Sequence, residues 1–74
     1  LVMKTELYVI AESDKAYKIR TYTGIYSYQD KYQWIPKSVC TTKEYFIKRD
    51  YLTGNDIYRT VITSVEDWYY DKYL

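Results

Sequence analysis

The side chains that usually carry catalysis are scarce in this sequence of 74 residues. It contains no histidine and one cysteine, Cys40, so neither a Ser/His nor a Cys/His catalytic pair can form and no Cys/His zinc site can be assembled. Three carboxylates lie close together at Glu66, Asp67 and Asp71, but acids near the start of a helix are favoured by its dipole without any catalytic role. No glycine-rich phosphate loop is present. The sequence therefore predicts a protein that is not an enzyme and that uses no metal or cofactor.

Tyrosine is the residue type in excess, with twelve in the chain. Its ring is large and rigid and carries one polar group, at a low cost in conformational entropy. A domain of this size cannot bury so many rings, so several must be exposed. Exposed aromatic side chains are typical anchors of protein interfaces. We therefore predict a protein-binding surface centred on Tyr26, Tyr28 and Tyr32.

The basic side chains, Lys and Arg, suggest an alternative partner. Residues 15–49 carry eight bases and two acids, although the formal net charge of the chain is only +1. Single-stranded nucleic-acid binders combine positive groups for phosphates with exposed rings on which bases stack. The residues that would serve this function are Lys18, Arg20, Tyr22, Tyr28 and Lys37. Because a net charge of +1 gives no chain-wide electrostatic footprint, a protein partner is preferred and single-stranded DNA or RNA is the alternative. A homodimer formed through an exposed edge strand is a third hypothesis.

Alternation of apolar and polar residues with period two predicts mostly β structure. The predicted strands are 4–11, 16–23, 25–29, 32–35 and 57–63, with 42–49 left open between strand and short helix. Pro36 has no N–H to donate to a ladder, so the fourth strand should end there or lie on an edge of the sheet. Residues 52–56 contain Gly54-Asn55 and predict a turn.

The C-terminal segment has the pattern of a helix. Ser64 is a candidate N-cap, and Glu66 and Asp67 follow in the first turn. One apolar helical stripe then consists of Val65, Trp68, Tyr69 and Tyr73. This helix would cover a small curled antiparallel sheet or partly open barrel of OB or SH3-like size.

The whole chain, residues 1–74, is predicted to be a single mostly β domain. Leu1 and Val2 precede Met3, and we expect no structural role for these two residues. No stretch approaches the roughly 20 apolar residues that span a bilayer, so no membrane partner is expected.

Short motifs give the chain a resemblance to a known group. These motifs are Lys15-Ala16, Trp34-Ile35-Pro36-Lys37-Ser38 and the final stretch from Trp68 through Lys72 to Leu74. Over residues 15–38 and 61–74 the chain resembles a loose group of small phage-encoded proteins. The resemblance implies a viral accessory protein in the cytoplasm of a bacterial host, and it implies no mechanism. Together with the tyrosine excess, the small size and the absence of catalytic groups, it leads to the hypothesis of a module that binds a host or defence protein, with inhibition of that protein as a further hypothesis. Beside it, we expect Trp34 to point into the core.

Overall fold

The computed structural model describes all 74 residues as five antiparallel strands and one short helix. The strands are β1 (Val2–Glu12), β2 (Ala16–Tyr22), β3 (Lys31–Pro36), β4 (Cys40–Arg49) and β5 (Asp56–Glu66), followed by α1 (Asp67–Tyr73). They form one sheet in the order β3-β2-β1-β5-β4, and this sheet does not close. The predicted mostly β fold with a C-terminal helix is confirmed.

The two terminal strands pair in the middle of the sheet. Leu7 of β1 lies opposite Ile62 of β5, and Tyr8 lies opposite Val61. β3 and β4 are consecutive in the chain but lie at opposite edges, joined by the 3-10 helix Lys37–Val39. The sheet is curled, because residues from both edge strands reach the same core.

The core lies on the inner side of this curl. It consists of Ile19, Ile35, Val39, Ile62, Val65 and Tyr69. Burial of each such side chain contributes roughly 1.5–3 kcal/mol. Tyr69 comes from α1, and its hydroxyl donates to the carbonyl of Trp34 at 3.2 Å and accepts from Nε2 of Gln33 at 3.3 Å. The helix is thereby fixed to β3.

The strand predicted at 25–29 is wrong. Residues 23–30 form a loop that contains the 3-10 helix Ser27–Gln29. The carboxylate of Asp30 accepts from the N–H of Gly24 at 2.8 Å, and Oε1 of Gln29 accepts from the N–H of Tyr26 at 3.2 Å. Side chains thus satisfy the backbone locally, in competition with a sheet ladder.

The predicted helix start at Ser64 is also wrong. β5 continues to Glu66 because Ser64 pairs with Lys4 of β1 and Glu66 pairs with Val2. Val2 therefore has a structural role that the sequence did not predict. The carbonyl of Leu1 likewise accepts from the N–H of Asp67 at 3.1 Å. Segment 42–49, left open above, is part of β4.

Candidate functional site

The sheet has a second face that points away from the core, which we call the outer face. Directly paired residues of antiparallel strands point to the same side, and neighbours along a strand alternate. With Ile19, Ile35 and Ile62 directed into the core, the residues between them point outward. Over the part of the sheet that covers the core, the outer face comprises Glu6, Tyr8, Lys18, Arg20, Tyr32, Trp34, Lys43, Tyr45, Arg59 and Val61.

Four aromatic rings lie on the outer face, and each is about half exposed. The exposed fraction is 45% for Tyr8 and Tyr32, 46% for Tyr45 and 47% for Trp34. Such rings are partly supported by the sheet and still offer apolar surface to solvent. This is the condition that a stacking platform requires.

Cationic side chains stand beside these rings. The guanidinium of Arg59 lies 4.1 Å from the centroid of the Tyr8 ring. The ammonium of Lys18 lies 4.6 Å from the centroid of the Tyr32 ring. Both distances are within the range of cation–π attraction. The contacts hold each positive group next to an exposed ring.

Across the strands, rings and guanidinium groups alternate in a line that we call the stripe. It runs through Tyr32 of β3, Arg20 of β2, Tyr8 of β1, Arg59 of β5 and Tyr45 of β4. Arg20 is paired with Tyr32, and Arg59 with Tyr45. Neighbouring strands are about 4.8 Å apart, so Tyr32 and Tyr8, two strands apart, are separated by about 10 Å. Tyr8 is paired with Val61 and meets Arg59 diagonally, so Tyr45 lies further from Tyr8 than Tyr32 does.

The outer face is more strongly positive than the chain as a whole, whose net charge is +1. It carries four basic side chains, Lys18, Arg20, Lys43 and Arg59, and one carboxylate, Glu6, which accepts from the Tyr8 hydroxyl at 3.4 Å. A second carboxylate, Asp30 of the neighbouring loop, forms an ion pair with Arg20 at 3.4 Å. Between β1 and β4 the face forms a depression of about 300 Å³. Its lining residues are Glu6, Tyr8, Tyr45, Arg59 and Val61.

A second group of exposed rings lies on the aromatic loop, residues 23–30. The rings of Tyr26 and Tyr28 stack at 5.7 Å with planes 5° apart, and Ile25 beside them is 91% exposed. The loop is held by the carboxylate of Asp30, which binds the Gly24 N–H and lies 3.4 Å from Nε of Arg20.

The residues predicted for protein binding are divided between these two places. Tyr26 and Tyr28 lie on the aromatic loop, whereas Tyr32 lies in the stripe. Of the residues predicted for nucleic acid, Lys18 and Arg20 join Tyr32 on the outer face.

The other residues predicted for nucleic acid lie elsewhere. Tyr28 lies on the aromatic loop, and Tyr22 lies at the end of β2 with the ammonium of Lys31 6.0 Å from its ring centroid. Lys37 lies after the far end of β3 and pairs with Glu12. This hydrogen bond raises the pKa of the Lys37 ammonium above its ordinary value.

Several outer-face residues were missed from the sequence. Trp34 was expected in the core, but its neighbour Ile35 is fully buried, and alternation along β3 therefore directs Trp34 outward. Tyr8 and Arg59 each take an outward position on their own strand, but their contact depends on the pairing of β1 with β5. No local pattern indicates that pairing, because about fifty residues separate the two strands.

No three His, Cys, Asp or Glu side chains are grouped so that they could hold a metal ion. The helix is too short and too polar to cross a membrane. Burial raises the pKa of the Cys40 thiol, which disfavours the nucleophilic thiolate at neutral pH.

Comparisons with protein-family models, curated proteins and solved structures found no match to this chain.

Proposed function

We propose that the outer face binds single-stranded DNA or RNA. The observation that carries this proposal is the stripe, in which exposed rings and guanidinium groups alternate across all five strands. Bases stack on aromatic rings, and positive groups contact the phosphates between them. The sequence favoured a protein partner because the net charge is low. On the outer face, however, four basic side chains accompany Glu6 and the Asp30 carboxylate that pairs with Arg20, so positive charge is in excess there.

The half-exposed rings favour a single strand over a duplex. In a duplex the faces of the bases are already stacked on one another, so exposed rings gain little from contact with it. In a single strand every base has a free face, and stacking on a protein ring contributes about 1–3 kcal/mol per base. The four outer-face rings can therefore supply affinity without reading sequence.

Fluorescence anisotropy with labelled DNA and RNA oligonucleotides at low salt tests the proposal. We expect both single strands to bind, and the matching duplex to bind more weakly. Trp34→Ala should weaken binding by roughly 5–150-fold, the equivalent of one lost stacking contact. If no single strand binds at low salt, the proposal is wrong.

The chain offers matched controls for these variants. Trp68 on α1 is 56% exposed and lies away from the outer face, and Tyr58 is 52% exposed on the opposite side of β5 from Arg59. Trp68→Ala is the control for Trp34→Ala, and Tyr58→Ala is the control for Tyr45→Ala. Each control should leave the affinity for single strands unchanged. Equal losses within each pair would show that binding does not use the outer face.

The aromatic loop favours a second function, namely binding of a host or defence protein. Its exposed Ile25, Tyr26 and Tyr28 are held in one conformation by Asp30, and preorganised aromatic groups make efficient interface anchors. A partner that uses this loop should be lost from the Tyr26→Ala/Tyr28→Ala variant and retained by Trp34→Ala. The opposite pattern would assign the partner to the outer face.

A further inference from the structure

The β4–β5 hairpin extends beyond the core as an arm, residues 45–58. Every residue of the arm except Asp50 is exposed. Its apolar side chains are exposed by 36–97%; they are Phe46, Ile47, Tyr51, Leu52, Ile57 and Tyr58. A two-stranded ribbon without cover is marginally stable in water, and monomers rarely expose apolar patches larger than a few hundred Å².

The free edge of β4 runs along this arm. β4 has ten residues without proline or glycine, and it pairs only with β5. A long edge strand of this kind is a template for pairing with another chain. The other edge, β3, is protected, because it has six residues and ends at Pro36.

A bulge determines which β4 side chains share a face. Phe46 lies opposite Tyr58 and Lys48 lies opposite Ile57, so β4 contains one extra residue, Ile47. Beyond this bulge the alternation is reversed. Glu44 and Arg49 therefore lie on the inner side, opposite Thr60 and Asp56, whereas Tyr45 and Lys48 lie on the outer side, opposite Arg59 and Ile57.

We infer that the β4 edge pairs antiparallel with the β4 edge of a second copy of this chain. The register that matches the faces places Glu44 opposite Arg49 of the second copy and Tyr45 opposite Lys48. In the same register Lys43 faces Asp50. In each directly opposed pair of charged residues, the two charges are then opposite in sign. The ammonium of Lys48 also lies opposite the ring of Tyr45.

Other registers are less favourable. A shift of one residue brings side chains from opposite faces together. A shift of two in one direction places Lys43 opposite Lys48, and like charges directly opposite each other are destabilising. A shift of two in the other direction places Phe46 opposite Arg49 and removes the Glu44–Arg49 pair. Only the inferred register places Phe46 and Ile47 together at the centre.

The charge of the arm selects a second copy over other occupants. Lys48 and Arg49 are balanced by Asp50 and Asp56, so the arm neither attracts phosphates nor repels its own copy. Phe46 and Ile47 lie at the centre of the inferred register and are 60% and 52% exposed, so a second copy covers apolar surface there.

Sedimentation equilibrium of the unmodified chain tests this inference. We expect a dimer, weakened on the order of tenfold by Glu44→Arg because two opposite-charge pairs become like-charge pairs. Glu6→Arg makes the same change on the outer face, away from the β4 edge, and should leave the dimer intact. A monomer at all concentrations, or equal effects of the two variants, would overturn the inference.

Disulfide cross-linking tests the register itself. In a Cys40→Ala background, the chains carrying Tyr45→Cys and Lys48→Cys are mixed and oxidised. Directly opposed residues have Cα atoms about 4.5–5.5 Å apart, within disulfide range, so the mixture should form a covalent dimer. Each chain alone should not, because identical positions are three residues out of register. Cross-linking of either chain alone to the same extent as the mixture, or no cross-linking of the mixture, would contradict the register.

Discussion

At the scale of single residues, one tyrosine has a structural role that can be separated from binding. Tyr69 is buried, and its hydroxyl serves both the Gln33 amide and the Trp34 carbonyl. Tyr69→Phe should lower the free energy of unfolding by about 1–3 kcal/mol, because buried polar groups lose their partner. Urea denaturation measures this loss. The dependence of the unfolding free energy on urea concentration should be the same for both proteins.

Tyr73→Phe is the control for that measurement. Tyr73 lies on the same helix and is half exposed, so removal of its hydroxyl should change stability by less than about 0.5 kcal/mol. Equal losses in the two variants would contradict the role of Tyr69. The sequence placed Tyr69 or Tyr73 against the sheet but could not choose between them, because both belong to one helical stripe.

At the scale of elements, the aromatic loop depends on a close approach at Gly24. A Cβ at this position would lie 2.2 Å from Cβ of Gln29, which is the root of a side chain and cannot move aside without the backbone. Gly24→Ala should therefore destabilise the protein by about 1–3 kcal/mol, as overpacking does. Thermal denaturation measures this, and NMR shifts should be confined to residues near the loop.

Gly54→Asn provides the comparison, because Gly54 has a φ of 76° with open space around it and asparagine tolerates that conformation. A larger loss at Gly54 than at Gly24 would contradict the packing argument. The turn at Gly54 was predicted from its sequence, since Gly-Asn is a local turn pattern. Residues 25–29 of the aromatic loop were predicted as a strand because apolar and polar residues alternate there. The side-chain hydrogen bonds of Gln29 and Asp30, which compete with a strand, are visible only in the structure.

At the scale of the whole molecule, the proposed binding depends on where charges meet and not on their sum. Alternation within β2 alone is enough to place Lys18 and Arg20 on one face. The addition of Tyr8, Arg59 and Tyr45 to that face requires the order of all five strands, which is set by long-range pairing. The same order leaves β4 at an edge, so two copies joined there would carry their stripes on one side of a continuous sheet.

Salt dependence would measure how many of these charges contact the proposed nucleic acid. For single strands the logarithm of affinity falls with the logarithm of salt concentration by about 0.7 per phosphate neutralised. Arg20 is ion-paired with Asp30, so the other three basic side chains of the outer face, Lys18, Lys43 and Arg59, should give a slope of about −2. Arg59→Gln should make the slope shallower by about 0.7. Lys37→Gln should not change it, because Lys37 pairs with Glu12 away from the stripe. A slope that responds to Lys37 and not to Arg59 would place the phosphates at the far end of β3, where no ring of the stripe lies.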